Sequence, residues 1–328
     1  MKAALLGVPA ALVLLAAWQP LPLYLVSLAL FGLPHVLWEA AFLRSRYAAR
    51  WPLRWWLMLW AALLLQAAAR TALWLGALSS DAAVIVDLLS LALLGLVLAL
   101  APAGAGWLAR GAGLLLAGGM YWLLAHGEVL NALLLLAAVH NFTPLAMAWD
   151  LAREMAREDP GGRSHAAARR LAWQITLLFA LPLLLAGGLW LLPWQPATGT
   201  SHAVHGRLLA SQWPTTWGSA ALLPALVLAQ CLHYYCVLVL LPGAERRRTA
   251  RPLLGPLLRT LALVLAAAIS VYFLHDYLAA RKLYAVAAGM HAWIEWPVLL
   301  LALLGLHGEG ARTPLKATPS PSFAGPRP

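Results

Sequence analysis

The chain is poor in charge and in cysteine. Only 11% of its 328 residues are charged, whereas a soluble domain carries about 25%. Acidic residues are the scarcest, with 12 Asp and Glu against 23 Lys and Arg. This composition argues against a soluble domain, whose surface needs more charge. The two cysteines, Cys231 and Cys236, fall in one apolar run, about 140° apart around a helix, which argues against a disulfide between them.

The sequence also lacks the motifs of several enzyme classes. It has no phosphate-binding glycine loop, no zinc-protease His-Glu-x-x-His and no pattern that indicates a serine or cysteine nucleophile. The net charge of +11 does not indicate nucleic-acid binding, because the basic residues lie between apolar runs and form no stripe with exposed aromatic residues. We therefore expect no nucleic-acid partner, and the partner that the composition favours is the lipid bilayer.

Hydrophobic residues are abundant, at 62% of the chain with a mean hydropathy of +0.77. Runs of roughly 20 apolar residues match the thickness of a bilayer, and they lack the alternation that barrel strands show. The sequence therefore predicts an all-α polytopic integral membrane helix bundle with about ten transmembrane helices. Their predicted ranges are 4–18, 23–43, 55–75, 84–101, 107–125, 129–149, 171–193, 219–241, 259–278 and 284–306.

Basic residues in the connecting segments predict the orientation. Arginines, Arg46 among them, follow the second, sixth and eighth predicted helices, which places both termini in the cytoplasm and the loop from Trp194 to Ser219 outside the inner (plasma) membrane. Arg281 and Lys282, in a tight turn between the last two helices, are exceptions. The first apolar run resembles a signal peptide but lacks a clean cleavage site, which favours a retained helix.

The same patterns divide the chain into two parts. Residues 1–307 form the predicted transmembrane helical domain. Residues 308–328 are rich in Pro, Ser and Arg and are predicted to be a disordered cytoplasmic tail.

Ionisable residues inside the apolar runs are candidate sites, because each costs roughly 2.5–3.5 kcal/mol at mid-bilayer. Arg70 and Asp87 lie at one depth on either side of a turn near residue 78. This placement favours a structural ion pair over a substrate site.

Histidines are frequent inside the predicted helices, and five are found there: His35, His140, His233, His275 and His291. Counting 1.5 Å per residue from the outer helix ends places His35, His140 and His233 at depths of ~18, ~16 and ~20 Å. On the same count His291 lies at ~10 Å and Glu295 at ~16 Å. His275 mirrors His291 across the turn near residue 282 and adds a histidine to the layer above.

Two helices carry the pattern His-x-x-x-Glu, at His35/Glu39 and His291/Glu295. Residues four apart share one helical face, so both side chains of a pair reach a common site. Imidazole and carboxylate suit iron, manganese or zinc, and such sets build di-iron sites in helix bundles. Copper would more often recruit Met or Cys.

These observations predict an intramembrane metal site. Non-haem iron is the preferred cofactor, with haem b or another transition metal as alternatives. Glu39 and Glu295 are expected to act as catalytic groups, whether as ligands, as orienting groups or as proton carriers. The predicted metal ligands are His35, His140, His233, His291 and His275.

Prolines interrupt the same helices. Pro34 precedes His35, and Pro144 lies four residues after His140 and would free its carbonyl. A freed carbonyl in lipid needs another partner, so such breaks mark candidate sites. The polar side chains predicted to orient the imidazoles are Asn131, Asn141, Thr143, Gln230, Tyr234 and Tyr235.

The segment Gly32-Leu33-Pro34-His35, followed by the acid Glu39, resembles the Gly-x-Pro-His-Gly-x-x-Asp segment of the Brp/Blh family. Members of that family are membrane enzymes that split β-carotene into retinal with iron held by histidines on several helices. This chain has Val36 where the family pattern has Gly, and Glu39 in place of Asp. The resemblance implies a membrane-bound enzyme in which His35 is an iron ligand.

Three functional hypotheses follow. The first is a membrane non-haem iron oxygenase, or dioxygenase, that acts on a long apolar small molecule such as an isoprenoid or a lipid. The second is a b-type haem electron-transfer or oxidase subunit, although the chain lacks paired histidines at a common spacing on two helices. The third is a proton-coupled transporter with a His/Glu relay, although recognisable inverted repeats are lacking.

Overall fold

The computed structural model describes residues 2–48, 51–101, 106–191, 219–249 and 255–304. The regular elements in these ranges are helices, as the sequence predicts. They are α1 (Lys2–Trp18), α2 (Pro20–Tyr47), α3 (Leu53–Trp74), α4 (Ser80–Ala99), α5 (Trp107–Ala125), α6 (Val129–Asn141), α7 (Thr143–Glu158), α8 (Arg163–Leu191), α9 (Ser219–Tyr235), a π-helical segment (Cys236–Leu240), α10 (Leu241–Thr249), α11 (Pro256–His275) and α12 (Tyr277–Leu304).

Within the described ranges, eight spans are long and apolar enough to cross a membrane, judged by length and composition. They fall in α2, α3, α4, α5, α8, the continuous stretch from α9 to α10, α11 and α12. The apolar part of α1, Gly7–Trp18, is shorter, and the predicted sixth helix is divided into α6 and α7. Together with the composition, these helices indicate a membrane protein.

Two predicted regions cannot be compared with the structure. The predicted outer loop from Trp194 to Ser219, apart from its last residue, lies outside the described residues. So does the predicted tail at 308–328.

The turn between the last two helices lies at Asp276, and the expectation of a turn near residue 282 is wrong. A carboxylate oxygen of Asp276 accepts a hydrogen bond from the Ala279 N–H at 3.0 Å, which is how an aspartate caps a helix N-terminus. Arg281 and Lys282 therefore lie within α12 and not in a loop. The physical reason is that a capping residue starts this helix well before its apolar run begins.

The predicted sixth helix, 129–149, is interrupted near Pro144, the residue expected to free the His140 carbonyl. α6 ends at Asn141 and α7 begins at Thr143. Pro144 has no N–H to donate to the His140 carbonyl, which accepts from the Phe142 N–H and from the Thr143 hydroxyl at 2.8 Å instead. The freed carbonyl thus finds its partner within the same turn.

Arg70 and Asp87 form the predicted ion pair between α3 and α4. Gly76, with φ at +73°, lies in the turn that makes these helices antiparallel. The pair lines a cavity of about 20 Å³ together with Trp293 and other apolar side chains. Such a cavity holds about one water molecule, so the structure favours the structural role over a substrate site.

The bundle is organised around α12 and α2. α12 packs against α2, α3, α5, α6, α7 and α11, and α2 packs against α1, α9, the π-helical segment and α11. Gly32 lets α2 approach α12 closely, because a Cβ there would lie 3.1 Å from the Tyr284 ring. This packing turns one face each of α2, α6, α9 and α12 toward a common interior space.

Candidate metal centre

Four histidines meet in that interior space: His35 of α2, His140 of α6, His233 of α9 and His291 of α12. One ring nitrogen from each lies within 4.8 Å of those of the others. The ring centroids are 4.5 Å apart for His140 and His233 and 6.0 Å apart for His35 and His140. Two ligands on opposite sides of one metal ion are ~4.2 Å apart, so the spacing is of the size that a metal site requires.

His275 does not belong to this cluster. It is the last residue of α11 and is exposed. Because α12 begins at Tyr277, counting 1.5 Å per residue from there places His291 at ~21 Å, not at ~10 Å. His291 therefore reaches the layer of the other three histidines, while His275 stays at a helix end. The expectation that His275 adds a ligand is corrected accordingly.

In two of the rings, a contact between one ring nitrogen and an oxygen atom sets the orientation of the ring. The His35 Nδ1 lies 3.1 Å from the Phe31 carbonyl oxygen, one turn earlier on α2. The His140 Nδ1 lies 2.7 Å from Oε2 of Glu295 on α12. In both rings the nitrogen that faces an oxygen is Nδ1, which leaves Nε2 for another partner.

The Glu39 carboxylate contacts the other two rings, those of His233 and His291. The His233 Nε2 is hydrogen-bonded to Oε2 of Glu39 at 3.1 Å. The His291 Nε2 lies 3.0 Å from the same oxygen, a contact without the alignment of a hydrogen bond. It also lies 3.4 Å from Oε1 of Glu295. Both predicted His-x-x-x-Glu pairs therefore contribute both of their side chains to one site.

Several ring nitrogens of the cluster have no hydrogen-bond partner within the part of the chain that the structure describes. The His35 Nε2, the His233 Nδ1 and both nitrogens of His291 are buried without a hydrogen-bond partner among the described residues. Each such atom costs about 1–3 kcal/mol, so four of them in one cluster require an explanation. A histidine that binds a metal typically uses one nitrogen for the metal and the other for a carboxylate or carbonyl. His35 and His233 show this division, which fits a bound metal ion.

The two carboxylates form a second group with His291, in which the ligand atoms again lie within 4.8 Å of one another. Glu39 and Glu295 are both 0% exposed. The Thr143 hydroxyl lies 3.1 Å from Oε2 of Glu295 and 3.4 Å from Oε1 of Glu39. Thr143 thus connects both carboxylates to the break that positions His140.

Thr143 and Tyr234 are the predicted orienting residues that contact the cluster in the described structure. The Tyr234 ring packs on the His35 ring at a centroid distance of 4.4 Å. Gln230 instead donates to the Ser27 hydroxyl, and Asn131 donates to Glu128.

The site is nearly closed. The side chains of His233 and His291 are 0% and 3% exposed, whereas that of His140 is 14% exposed. The first group of candidate ligands consists of four imidazoles and the second of one imidazole and two carboxylates, and neither includes Cys231 or Cys236. The donors match iron, manganese or zinc better than copper.

Sequence reasoning missed a second polar cluster, centred on Arg46. The expectation that Arg46 lies in a loop after the second helix is wrong, because α2 continues to Tyr47 and the arginine is buried. The spacing along the helices did indicate such a cluster. Arg46 follows Glu39 by two helical turns, and Asp150 and Glu154 share a helical face.

No protein-family model, curated protein or solved structure matches this chain.

Proposed function

We propose that the chain is a multi-pass membrane protein that binds non-haem iron and oxygenates a long apolar substrate, such as an isoprenoid or a lipid. One observation carries the proposal. His35, His140, His233 and His291 come together from four helices. Three of these rings hydrogen-bond one nitrogen to a carbonyl or carboxylate oxygen, and the His291 Nε2 lies 3.0 Å from Glu39. Hydrogen bonds of this kind fix the orientation of an imidazole and leave its second nitrogen available for a metal ion.

The geometry favours a non-haem metal over haem. In a bis-histidine haem, two imidazoles lie on opposite faces of the porphyrin, and the pyrrole nitrogens occupy the positions between them. Here the nitrogens of two further imidazoles lie within 4.8 Å of any chosen pair. They take the space that the porphyrin would need.

The histidines and the glutamates of the site would have different roles. The four histidines would hold the ion, and bound iron would supply the activation of dioxygen. Glu39 and Glu295 would orient the imidazoles and accept or release protons at their Oε atoms. Burial keeps bulk water from the site, which suits an apolar substrate. The resemblance of the Gly32–His35 segment to the Brp/Blh family supports the same activity.

The experiment is metal analysis and an absorption spectrum of the full chain purified in detergent. The wild type should contain iron without a Soret band. His35→Ala and His140→Ala should lose the metal and stay folded, because each removes a candidate ligand. His126→Ala and His275→Ala are matched controls at exposed helix ends and should retain it.

Three outcomes would contradict the proposal. A Soret band would indicate haem. Iron retained in both His35→Ala and His140→Ala would place the metal elsewhere. A wild-type protein that takes up no transition metal would favour the His/Glu cluster as the proton relay of a transporter.

For the membrane topology, we propose ten crossings with both termini in the cytoplasm of the inner membrane. The eight membrane-length spans would be joined by α1 and by the divided pair of α6 and α7. Reporter fusions after Thr198 and after Ala244 should then report opposite sides of the membrane. Signals from the same side at both positions would contradict this map.

A further inference from the structure

A second buried cluster joins three helices through one arginine. The Arg46 side chain is 1% exposed, and its Nη2 donates to Oδ2 of Asp150 at 3.0 Å. The same nitrogen donates to Glu154 at 2.5 Å, and Nη1 lies 3.5 Å from Oε2 of Glu245. The Tyr47 hydroxyl donates to Asp150 at 2.9 Å. These contacts connect α2 with α7 and α10, and we name Arg46, Asp150, Glu154 and Glu245 the Arg46 network.

The network is in register with the metal centre on α2 and on α7. Arg46 follows Glu39 by seven residues, and Asp150 follows Thr143 by seven. Seven residues bring an α-helix to within about 20° of two full turns and advance it by ~10 Å. On both helices, a network residue therefore lies on the same face as a residue of the site.

The third helix reaches this register through its π-helical segment. Glu245 follows His233 by twelve residues, which in a continuous α-helix would place the two side chains about 120° apart. The segment Cys236–Leu240 lies between them, and a π-turn takes up one extra residue. The rotation then equals that of about eleven α-helical residues, so the two side chains lie within about 20° of each other.

We propose that the Arg46 network is a positioning device that sets the axial rotation of α2, α7 and the α9–α10 stretch, and through it the geometry of the metal centre. A guanidinium is a planar fork with directed donors, and a buried charge tolerates the loss of a partner poorly. Rotation of one of these helices therefore breaks a buried charge contact. The inference rests on the proposed function where it concerns the metal.

Cobalt(II) titration of the full-length, metal-free protein in detergent is the first test. Arg46→Met and Asp150→Asn should weaken cobalt binding about two- to thirtyfold and change the visible spectrum of the bound ion. Arg46→Lys should recover part of the affinity. Arg70→Met is the matched control. It breaks another ion pair between helices of the bundle, the one that joins α3 and α4, and these two helices carry no residue of the site.

A distance measurement in the metal-free protein is the second test. The two spin labels are placed at exposed positions. Ala40 of α2 is next to Glu39, and Val239 of the π-helical segment follows His233 on the same stretch of helix. The distance distribution should shift or broaden in Arg46→Met and stay as in the wild type in Arg70→Met. If Arg46→Met does not fold, Asp150→Asn and Arg46→Lys carry both tests.

The outcomes separate the two proposals. If the wild type binds cobalt and the network variants match it in affinity, spectrum and label distance, the positioning role is overturned. If the wild type binds no metal, the proposed function fails, and the label distances alone decide the role of the network. A changed distance supports it, and an unchanged distance overturns it.

Discussion

The Thr143 hydroxyl connects the helix break to both carboxylates of the site, so its removal is a sharp perturbation. It lies 2.8 Å from the His140 carbonyl, 3.1 Å from Glu295 and 3.4 Å from Glu39. Thr143→Val keeps the shape of the side chain and removes only the hydroxyl. The site then loses the hydroxyl group of Thr143 while the packing around it is preserved.

The expected loss of stability depends on which hydrogen bonds each acceptor keeps in Thr143→Val. The His140 carbonyl still accepts from the Phe142 N–H, so it is not orphaned. The hydroxyl carries a single proton, and its nearest acceptor is the His140 carbonyl, so the variant loses one hydrogen bond, which contributes about 0.5–1.5 kcal/mol. Thr143 is only 5% exposed, so water does not replace the lost donor. Thr143→Val should therefore lower the free energy of unfolding by about 0.5–1.5 kcal/mol.

Unfolding in mixed micelles measures that free energy, and a cobalt titration measures the effect on the metal. Because Glu295 orients His140, metal affinity should fall about tenfold or more. Thr143→Ser keeps the hydroxyl and should lie close to the wild type in both assays. A Thr143→Val protein with wild-type stability and wild-type metal affinity would refute the reasoning.

Asp87→Asn leaves the Arg70 guanidinium without its carboxylate and should lower the unfolding temperature. Adding Arg70→Gln should recover part of the loss, and additive losses would contradict the pair. Gly32→Ala places a methyl group 3.1 Å from the Tyr284 ring and should destabilise the chain by about 1–3 kcal/mol in the same unfolding assay; unchanged stability would contradict the close contact. Free metal at one hundred times its dissociation constant stabilises by about 2.7 kcal/mol, so chelation should lower the unfolding temperature of the wild type but not that of His35→Ala.

Several features of the site were accessible from the sequence because they depend on spacing along single helices. His35/Glu39 and His291/Glu295 each share a helical face, and both pairs enter the site. The depth of His291 was not accessible from its apolar run. The run begins well after the helix does, and the capping residue Asp276 sets where the count of residues must start.

The Arg46 network was missed for a related reason. The positive-inside rule assigns an arginine near the end of an apolar run to a loop. Its burial depends on Asp150 and Glu245, which lie more than one hundred residues away in the chain. Spacing along one helix cannot reveal partners on others.

The sequence by itself determined the all-helical class, the apolar lengths of the helices and the side chains available for chemistry near the middle of the bundle. These depend on hydrophobicity and on the 3.6-residue period, which are local properties. The tertiary structure alone decided that His140 and His233 converge with His35 while His275 stays at a helix end. It also decided which nitrogen of each ring meets an oxygen. The physical reason is that the rotation of each helix about its axis, and its choice of neighbours, follow from packing and buried polar contacts between helices.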